Sequence, residues 1–106
     1  MEYISTRGKD GPLSFETALL NGLARDGGLY LPTSWPSFSA SEIRAMHGKP
    51  YVEIAGQIMS RFTDGELHEE QITEMAADAY CSFTCKDIAP LKAMQQDIHL
   101  LELFYG

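Results

Sequence analysis

Two hydroxyl groups, a guanidinium and a glycine follow one another near the start of the chain, at Ser5, Thr6, Arg7 and Gly8. Hydroxyl and guanidinium groups donate hydrogen bonds to phosphate oxygens, and a glycine lets backbone N–H groups approach the same ligand. These residue types make the segment a candidate phosphate-binding site. The alternative is a structural strand and turn in which Arg7 pairs with a surface acid, since such surface pairs are common.

Cys81 and Cys85 are four residues apart, a spacing that places both thiols on one side of a helix. A zinc site usually needs four ligands in paired groups, and the histidines are isolated, at His47, His68 and His99. We therefore predict two reduced thiols packed in or near the core, and no metal site, in preference to a redox or metal role.

Five acidic residues with no base between them lie in the second half of the chain, at Glu66, Glu69, Glu70, Glu74 and Asp78. They could form paired carboxylates for acid–base chemistry or a solvated helix face. Catalytic carboxylates need environments that separate their pKa values. These acids alternate with apolar positions, so the pattern favours the solvated face.

The charge balance narrows the range of partners. Eight basic residues stand against 15 acidic ones, the net charge is −7, and the bases are scattered. Nucleic acids and anionic membranes are therefore not expected partners. No apolar run reaches the ~18 residues of a membrane span. No signal peptide is visible after Met1, so we expect a cytoplasmic location.

Capping residues and hydrophobic periodicity predict the helices that would position these groups. Ser14 begins the first helix, and a capping box from Ser39 to Glu42 begins the second. Two further helices begin at Pro50 and at His68. The residues expected to be mostly buried on these helices are Phe15, Leu19, Leu23, Ile58, Phe62, Ile72, Met75 and Tyr80.

Short strands are predicted towards both ends of the chain. Segments 3–6 and 29–31 are expected to pair or lie close together. Segment 89–94 is joined by a turn at 95–97 to the nearly continuous apolar run 98–105, and we expect a hairpin. Such runs are typical of strands covered on both faces, so we expect the covering layer to lie outside this sequence. The predicted fold class is α+β, mainly helical, with the helices packed together.

Several strings in the sequence match the N-terminal region of one enzyme family. They are Tyr3-Ile4-Ser5-Thr6-Arg7-Gly8, Leu13-Ser14-Phe15-Glu16, Asp26-Gly27-Gly28-Leu29-Tyr30-Leu31-Pro32, Ala89-Pro90-Leu91 and Leu101-Glu102-Leu103-Phe104-Tyr105-Gly106. In this order and spacing the chain resembles the N-terminal region of threonine synthase over its whole length. Many members of that family have His at the position of Tyr105. The resemblance assigns 1–90 to the N-terminal helical domain and 91–106 to the first strands leading into the catalytic domain.

The resemblance implies a pyridoxal 5'-phosphate enzyme with the fold of the tryptophan synthase β-subunit. This carbon–oxygen lyase converts O-phospho-L-homoserine and water to L-threonine and phosphate. In the family, the lysine that holds the cofactor lies beyond the position of Gly106. We therefore expect these residues alone to contain no catalytic or cofactor-binding residue, to bind no cofactor and to be inactive. Lys86 and Lys92 do not match that lysine, and solvated lysines are poor Schiff-base formers.

The substrate that the resemblance implies carries a phosphate. Arg7, together with Ser5 or Thr6, is then a candidate substrate-binding group that helps close the active site over phosphohomoserine. The partners implied are the remainder of the catalytic domain and phosphohomoserine, and the terminal strand is expected to self-associate. Two alternatives stay open: a stand-alone acidic helical interaction module, and a threonine synthase-like phospho-lyase with another substrate.

Overall fold

The computed structural model describes residues 1–106, the whole sequence. Four helices and four short strands follow one another as β1 (Tyr3–Ser5), α1 (Phe15–Asn21), β2 (Tyr30–Pro32), α2 (Ala40–Ala45), α3 (Tyr51–Ser60), α4 (Glu69–Tyr80), β3 (Leu91–Gln95) and β4 (Ile98–Leu101). Helices hold 33% of the residues, and strands together with isolated β-bridges hold 17%. The fold is therefore a mixture of helices and strands, and the expectation of a mainly helical chain is met only in part. No helix combines the length and apolar character that a bilayer-spanning segment requires.

The helices begin where the capping residues predict. The Ser14 hydroxyl accepts the Thr17 N–H at 3.2 Å at the start of α1. The capping box of α2 is complete, because Ser39 Oγ accepts the Glu42 N–H at 3.2 Å and the Glu42 carboxylate accepts the Ser39 N–H at 2.7 Å. A distant carboxylate, Glu66, also accepts two N–H groups in the first turn of α1. Side-chain acceptors therefore satisfy helix-end donors that have no partner within the helix.

Two separate two-stranded antiparallel sheets confirm both predicted strand pairs. In the first sheet Tyr3 lies opposite Pro32, and Ser5 lies opposite Tyr30. The second sheet is the β3–β4 hairpin, in which Leu91 lies opposite Leu101. The β1–β2 pairing brings the loop after β1 beside the loop before β2, and this places the candidate phosphate site between them.

The core is smaller than the hydrophobic pattern predicts. Ile72 is buried as expected, with 3% of its surface exposed, but Leu19, Leu23 and Met75 are 63%, 67% and 50% exposed. The remaining expected core residues are half-buried: Phe15, Ile58, Phe62 and Tyr80. The prediction for Leu19, Leu23 and Met75 was wrong because only α3 and α4 pack extensively against each other. On α1, Ala18 is buried, whereas Leu19 lines an open groove.

An apolar groove of about 370 Å³ occupies the space where the helices do not close. Phe15 and Leu19 of α1 form one wall, and Met59, Met75 and Tyr80 are among the residues that line the rest. Phe62 also lines the groove, and the Trp35 ring meets it edge to face, with ring centroids 5.9 Å apart. Helical periodicity identified these positions as apolar, yet in this chain they line a groove rather than fill a core.

The chain exposes more surface than a compact protein of its mass. Its accessible surface is 7728 Å², against about 5,900 Å² expected for a folded monomer of 11.8 kDa. Its radius of gyration is 16.0 Å, against about 13 Å for a compact domain of this length. Much of the excess is apolar, in the groove and along the hairpin, where every residue of β3 and β4 is exposed.

The cysteines and the acidic stretch lie at the surface to different degrees. Both thiols are free; Cys81, just after α4, is exposed, and Cys85 is half-buried. The expectation of packing in or near the core was therefore wrong for Cys81, because this residue caps the end of α4 at the surface. The five acids of the predicted solvated face are all exposed, which confirms that interpretation.

Candidate phosphate-binding site

The segment that carries Ser5, Thr6 and Arg7 runs from the end of β1 into a turn. A second turn, at Asp26 and Gly27, lies directly beside it. The Thr6 N–H donates to the Leu29 carbonyl at 2.8 Å, which continues the contact between the two segments beyond the paired strands. The structure therefore brings the three predicted site residues to one place, against a turn that the sequence analysis left without a role.

Asp26 is the centre of this arrangement. Its Oδ1 accepts the Ser5 hydroxyl at 2.6 Å and the Gly28 N–H at 2.9 Å. Its Oδ2 accepts the Lys9 N–H at 3.0 Å. The hydrogen bond from Ser5, with the Gly28 and Lys9 N–H groups and the Arg7 charge, holds the pKa of Asp26 below its ordinary value. One carboxylate thus fixes the turn after β1 and the turn before β2.

Ser5 is buried, with 3% of its surface exposed. Its hydroxyl proton goes to Asp26, and its oxygen accepts the Arg7 N–H at 3.1 Å. A hydroxyl group has a single proton to donate, so Ser5 has none left for a ligand in this arrangement. The structure gives Ser5 a bridging role inside the protein.

Gly28 is required where it stands because of this bridge. A Cβ at Gly28 would lie 2.1 Å from Ser5 Oγ and 2.9 Å from Thr6 Oγ1. Any larger residue there would displace the hydroxyl that Asp26 holds. The paired glycines at 27 and 28 therefore serve close approach and a turn, and they do not form a nucleotide-binding loop.

Arg7 and Thr6 keep hydrogen-bond donors that no protein group uses. Arg7 Nη1 donates to the backbone carbonyl of Asp26 at 3.0 Å, and the rest of the exposed guanidinium has no protein acceptor. The exposed Thr6 hydroxyl accepts the Leu29 N–H at 3.1 Å and retains its own proton. Arg7 therefore bonds a carbonyl, and the surface acid pair considered as the alternative does not form.

A second carboxylate, Asp10, ties the same loops together without touching Arg7. It accepts the Arg25 N–H at 2.8 Å, the Tyr30 hydroxyl at 2.6 Å and the Gly11 N–H at 3.0 Å. The Tyr30 hydrogen bond is the main reason that the pKa of Asp10 lies below its ordinary value, and the same bond raises the pKa of Tyr30.

Asp10 and Asp26 had no predicted role in the site. A signal was available, since each aspartate directly precedes a glycine, and Asp-Gly pairs mark turns whose aspartate oxygens accept nearby N–H groups. That signal indicates a turn, but it does not indicate which distant hydroxyl the carboxylate will accept.

A smaller polar cluster lies at the end of the hairpin. The Glu102 carboxylate is about nine-tenths buried, and Lys92 Nζ lies 3.2 Å from its Oε1. The contact is an ion pair without hydrogen-bond alignment, so Oε1 has no hydrogen-bond donor. The Tyr105 hydroxyl donates to Oε2 at 3.4 Å. Glu102, followed by Tyr105 and Cys85, raises the pKa of Lys92, so its amine is held in the charged form.

Comparison with known proteins decides the family. A family model described as "Threonine synthase N terminus" matches residues 2–80. The chain belongs to the threonine synthase family. Threonine synthase from Pseudomonas aeruginosa is 41% identical over 106 residues, which are 100% of this chain and 23% of that relative. Threonine synthase from Schizosaccharomyces pombe is 36% identical over 107 residues, covering 100% of this chain and 21% of the relative.

Solved threonine synthase structures have the same fold over this region. The structure of pyridoxal phosphate-bound threonine synthase from Brucella melitensis superposes with a TM-score of 0.83 and 46% identity, covering 100% of this chain and 23% of that one. Threonine synthase from Escherichia coli gives a TM-score of 0.76 and 29% identity, covering 100% of this chain and 24% of that one. The chain therefore spans about a quarter of the length of these threonine synthases.

Proposed function

We propose that this chain is the N-terminal part of a pyridoxal phosphate-dependent threonine synthase, which converts O-phospho-L-homoserine and water to L-threonine and phosphate. The observation that carries the proposal is the match of the whole chain, at a TM-score of 0.83, to a threonine synthase whose structure contains that cofactor. A matching fold alone supports no activity, but the 46% identity and the family model support the same assignment.

Under this proposal, the lysine that holds the cofactor is not one of the lysines of this chain. A lysine that forms a Schiff base must lose its proton readily. All four lysines are exposed, and Lys92 is held in its charged form by Glu102. The cofactor would supply the electron sink of the reaction. No catalytic step is therefore assigned to a lysine of this chain.

In the proposed enzyme, Arg7 and Thr6 bind the phosphate group of the substrate. Both side chains keep free donors and face solvent, while Ser5 uses its proton on Asp26. A guanidinium with one edge bonded to the protein and the other edge free suits a phosphate oxygen pair. Ser5 acts indirectly, because it accepts the Arg7 N–H and so orients the turn.

We also propose that residues 1–90 form the N-terminal unit and that 91–106 join it to the catalytic domain. The support is the contrast in exposure, since every residue of β3 and β4 is exposed and Leu103 and Phe104 are 74% and 70% exposed. In relatives about four times as long, this apolar hairpin would lie against the remaining chain.

The test is a fusion enzyme in which residues 1–106 replace the matched region of the Pseudomonas aeruginosa threonine synthase. We expect the purified fusion enzyme to release phosphate from O-phospho-L-homoserine and to form threonine in equal amount. The isolated chain, as the control, should do neither after pyridoxal phosphate is added.

A folded fusion enzyme that carries the cofactor but forms no threonine would contradict the proposal. Assay of that same protein with other phosphorylated hydroxy-amino acids would then test the phospho-lyase alternative. This alternative has one supporting observation, a 34% identity over 115 residues to "Threonine synthase-like 1" from Pongo abelii.

A further inference from the structure

We infer that Asp26 is the positioning residue of the phosphate-binding site, holding Arg7 and the turn after β1 in the geometry that receives the phosphate of the substrate. The inference rests on the proposed function and names a residue that the motif Ser5-Thr6-Arg7-Gly8 does not contain. Asp26 acts through Arg7 and does not touch the substrate.

The first support is that Asp26 reaches Arg7 by two routes. Its backbone carbonyl accepts Arg7 Nη1 at 3.0 Å, which fixes the guanidinium directly. Its carboxylate holds the Ser5 hydroxyl, whose oxygen in turn accepts the Arg7 N–H. Both the head group and the backbone of Arg7 are therefore set by one residue.

The second support is that the Asp26 carboxylate already accepts three hydrogen bonds from the protein. Three donors from the protein meet its two oxygens: the Ser5 hydroxyl and the N–H groups of Gly28 and Lys9. A carboxylate beside an incoming phosphate would otherwise repel it, because like charges at short range destabilise each other. Internal donors spread this charge, while the free edge of Arg7 stays available to the ligand.

The third support is the close packing of Arg7 on the same turn. A Cβ at Gly27 would lie 3.0 Å from Arg7 Nη1. The guanidinium thus rests directly over the backbone of Gly27, and glycine is the residue that leaves room for it. The turn and the arginine head fit as one unit.

The experiment compares Asp26→Asn with Asp10→Asn in the fusion enzyme. Asparagine keeps the size of aspartate and removes its charge. Its side chain accepts hydrogen bonds only at the oxygen, because the other atom is an NH₂ donor. Asp10 is the matched control, because it ties the same loops with three hydrogen bonds but makes no contact with Arg7. Both variants are checked by thermal unfolding before assay.

We expect Asp26→Asn to raise the KM for O-phospho-L-homoserine by about 5- to 10-fold, with kcat within about twofold of the parent. The inhibition constant of inorganic phosphate should rise by a similar factor. Arg7→Ala should raise KM by about 10- to 100-fold, and adding Asp26→Asn to it should change KM by less than about twofold, since both remove one interaction. Asp10→Asn, which loosens the same loops but removes no contact to Arg7, should raise KM clearly less than Asp26→Asn does.

A second pair of variants decides the question if Asp26→Asn does not fold. Gly27→Ala pushes against the guanidinium, whereas Gly22→Ala meets no atom within 4 Å. Both glycines have positive φ values, 81° and 70°, so a side chain strains the backbone at both positions. We expect a raised KM in the Gly27 variant alone. Equal KM values in this pair, or additive effects of Asp26→Asn and Arg7→Ala, would overturn the inference.

Failure of the inference can be told apart from failure of the proposed function. Binding of inorganic phosphate, measured by calorimetry on the fusion enzyme, requires no turnover. Phosphate binding that weakens in Arg7→Ala and Asp26→Asn, in an enzyme inactive on phosphohomoserine, would contradict the function and support the inference. Normal turnover, with phosphate binding unchanged in Asp26→Asn, would support the proposed function and contradict the inference about Asp26.

Discussion

The loops around Asp10 and Asp26 are held together by hydrogen bonds within the chain, whereas the β3–β4 hairpin exposes apolar side chains. In the loops, two carboxylates accept six hydrogen bonds from residues spread between positions 5 and 30. In the hairpin, all nine strand residues are exposed and the side chains are largely apolar. Internal hydrogen bonds complete the first region, whereas the second region requires a surface to cover it.

This contrast shows that local order and a buried core need not coincide. The loops have little apolar material, yet their geometry is closely determined because two hydroxyl groups and four backbone N–H groups each donate to one of the two carboxylates. The hairpin has abundant apolar material but too few neighbours to bury it. A short chain can therefore hold a defined polar site while its apolar surfaces stay open.

The largest effect on the loop region should come from Gly28→Ala. The added Cβ would lie 2.1 Å from Ser5 Oγ, so either the Ser5–Asp26 hydrogen bond or the β1–β2 pairing must shift. We expect the free energy of unfolding to fall by about 3 kcal/mol, measured by urea denaturation. Gly48→Ala, which meets no atom within 4 Å but has a φ of 76°, should cost only about 1 kcal/mol. Equal losses of unfolding free energy in the two variants would mean that the short distance between the added Cβ and Ser5 Oγ does not matter.

A smaller effect on the same region is expected from acid. The pKa values of Asp10 and Asp26 are lowered in the folded chain, and that of Glu42, beside Arg61, is lowered to about 2. A carboxylate with a lowered folded pKa stabilises the protein above its unfolded pKa, and this contribution is lost as the pH falls through the folded value. The thermal midpoint should therefore fall between about pH 4 and pH 2.

Asp26→Asn should weaken the dependence of the thermal midpoint on pH. A parent chain whose thermal midpoint does not change with pH would contradict the stabilising role given to these carboxylates. The loops that Asp10 and Asp26 hold are therefore expected to loosen as the pH falls through this range.

Within the hairpin, Lys92→Gln should lower the denaturant midpoint by less than Gly28→Ala does in the loops. The Lys92 side chain is 60% exposed, so solvent screens its attraction to Glu102. Lys86→Gln is the control, because Lys86 is exposed and forms no ion pair, and it should not change stability. Denaturant titration of both variants gives the comparison. A fall in the midpoint of Lys92→Gln as large as that of Gly28→Ala would indicate that the Lys92–Glu102 ion pair stabilises the hairpin as much as the hydrogen bonds stabilise the loops.

The smallest effect on stability should come from replacing Leu103 and Phe104 by Ser, within about 0.5 kcal/mol of the parent. Exposed apolar strands associate with other chains, so we expect the isolated parent chain to form dimers and the double variant to be monomeric by light scattering. Leu20→Ser is the control, since Leu20 is 79% exposed but lies on α1. A parent chain that is wholly monomeric would contradict the expected self-association.

Local rules predicted most of the secondary structure. Ser14 and Ser39 begin helices because their hydroxyl groups accept N–H groups a few residues ahead, an interaction set by the sequence alone. The hairpin was also predictable from neighbouring residues, because its two strands are separated by a short polar turn. The Ser5-Thr6-Arg7 segment was identified from residue type, and its role at a phosphate stays a prediction.

Long-range geometry was the part that the sequence could not supply. Periodicity assigned Leu19 and Met75 to a core, but it does not specify whether a facing element is present, and here a groove faces them. Likewise, the Asp-Gly pair at 26–27 indicates a turn, but the Ser5 hydroxyl that Asp26 accepts lies 21 residues away. Only the β1–β2 register brings these two groups together.

The edge-to-face contact of Trp35 with Phe62 gives the molecule an intrinsic optical reporter. Trp35 is the single tryptophan, its indole is 68% exposed, and its neighbour Phe62 lines the apolar groove. Whatever fills that groove will press on Phe62 and change the surroundings of the indole. Fluorescence emission from this one side chain will therefore follow the covering of the groove in solution, without a label and without altering a residue.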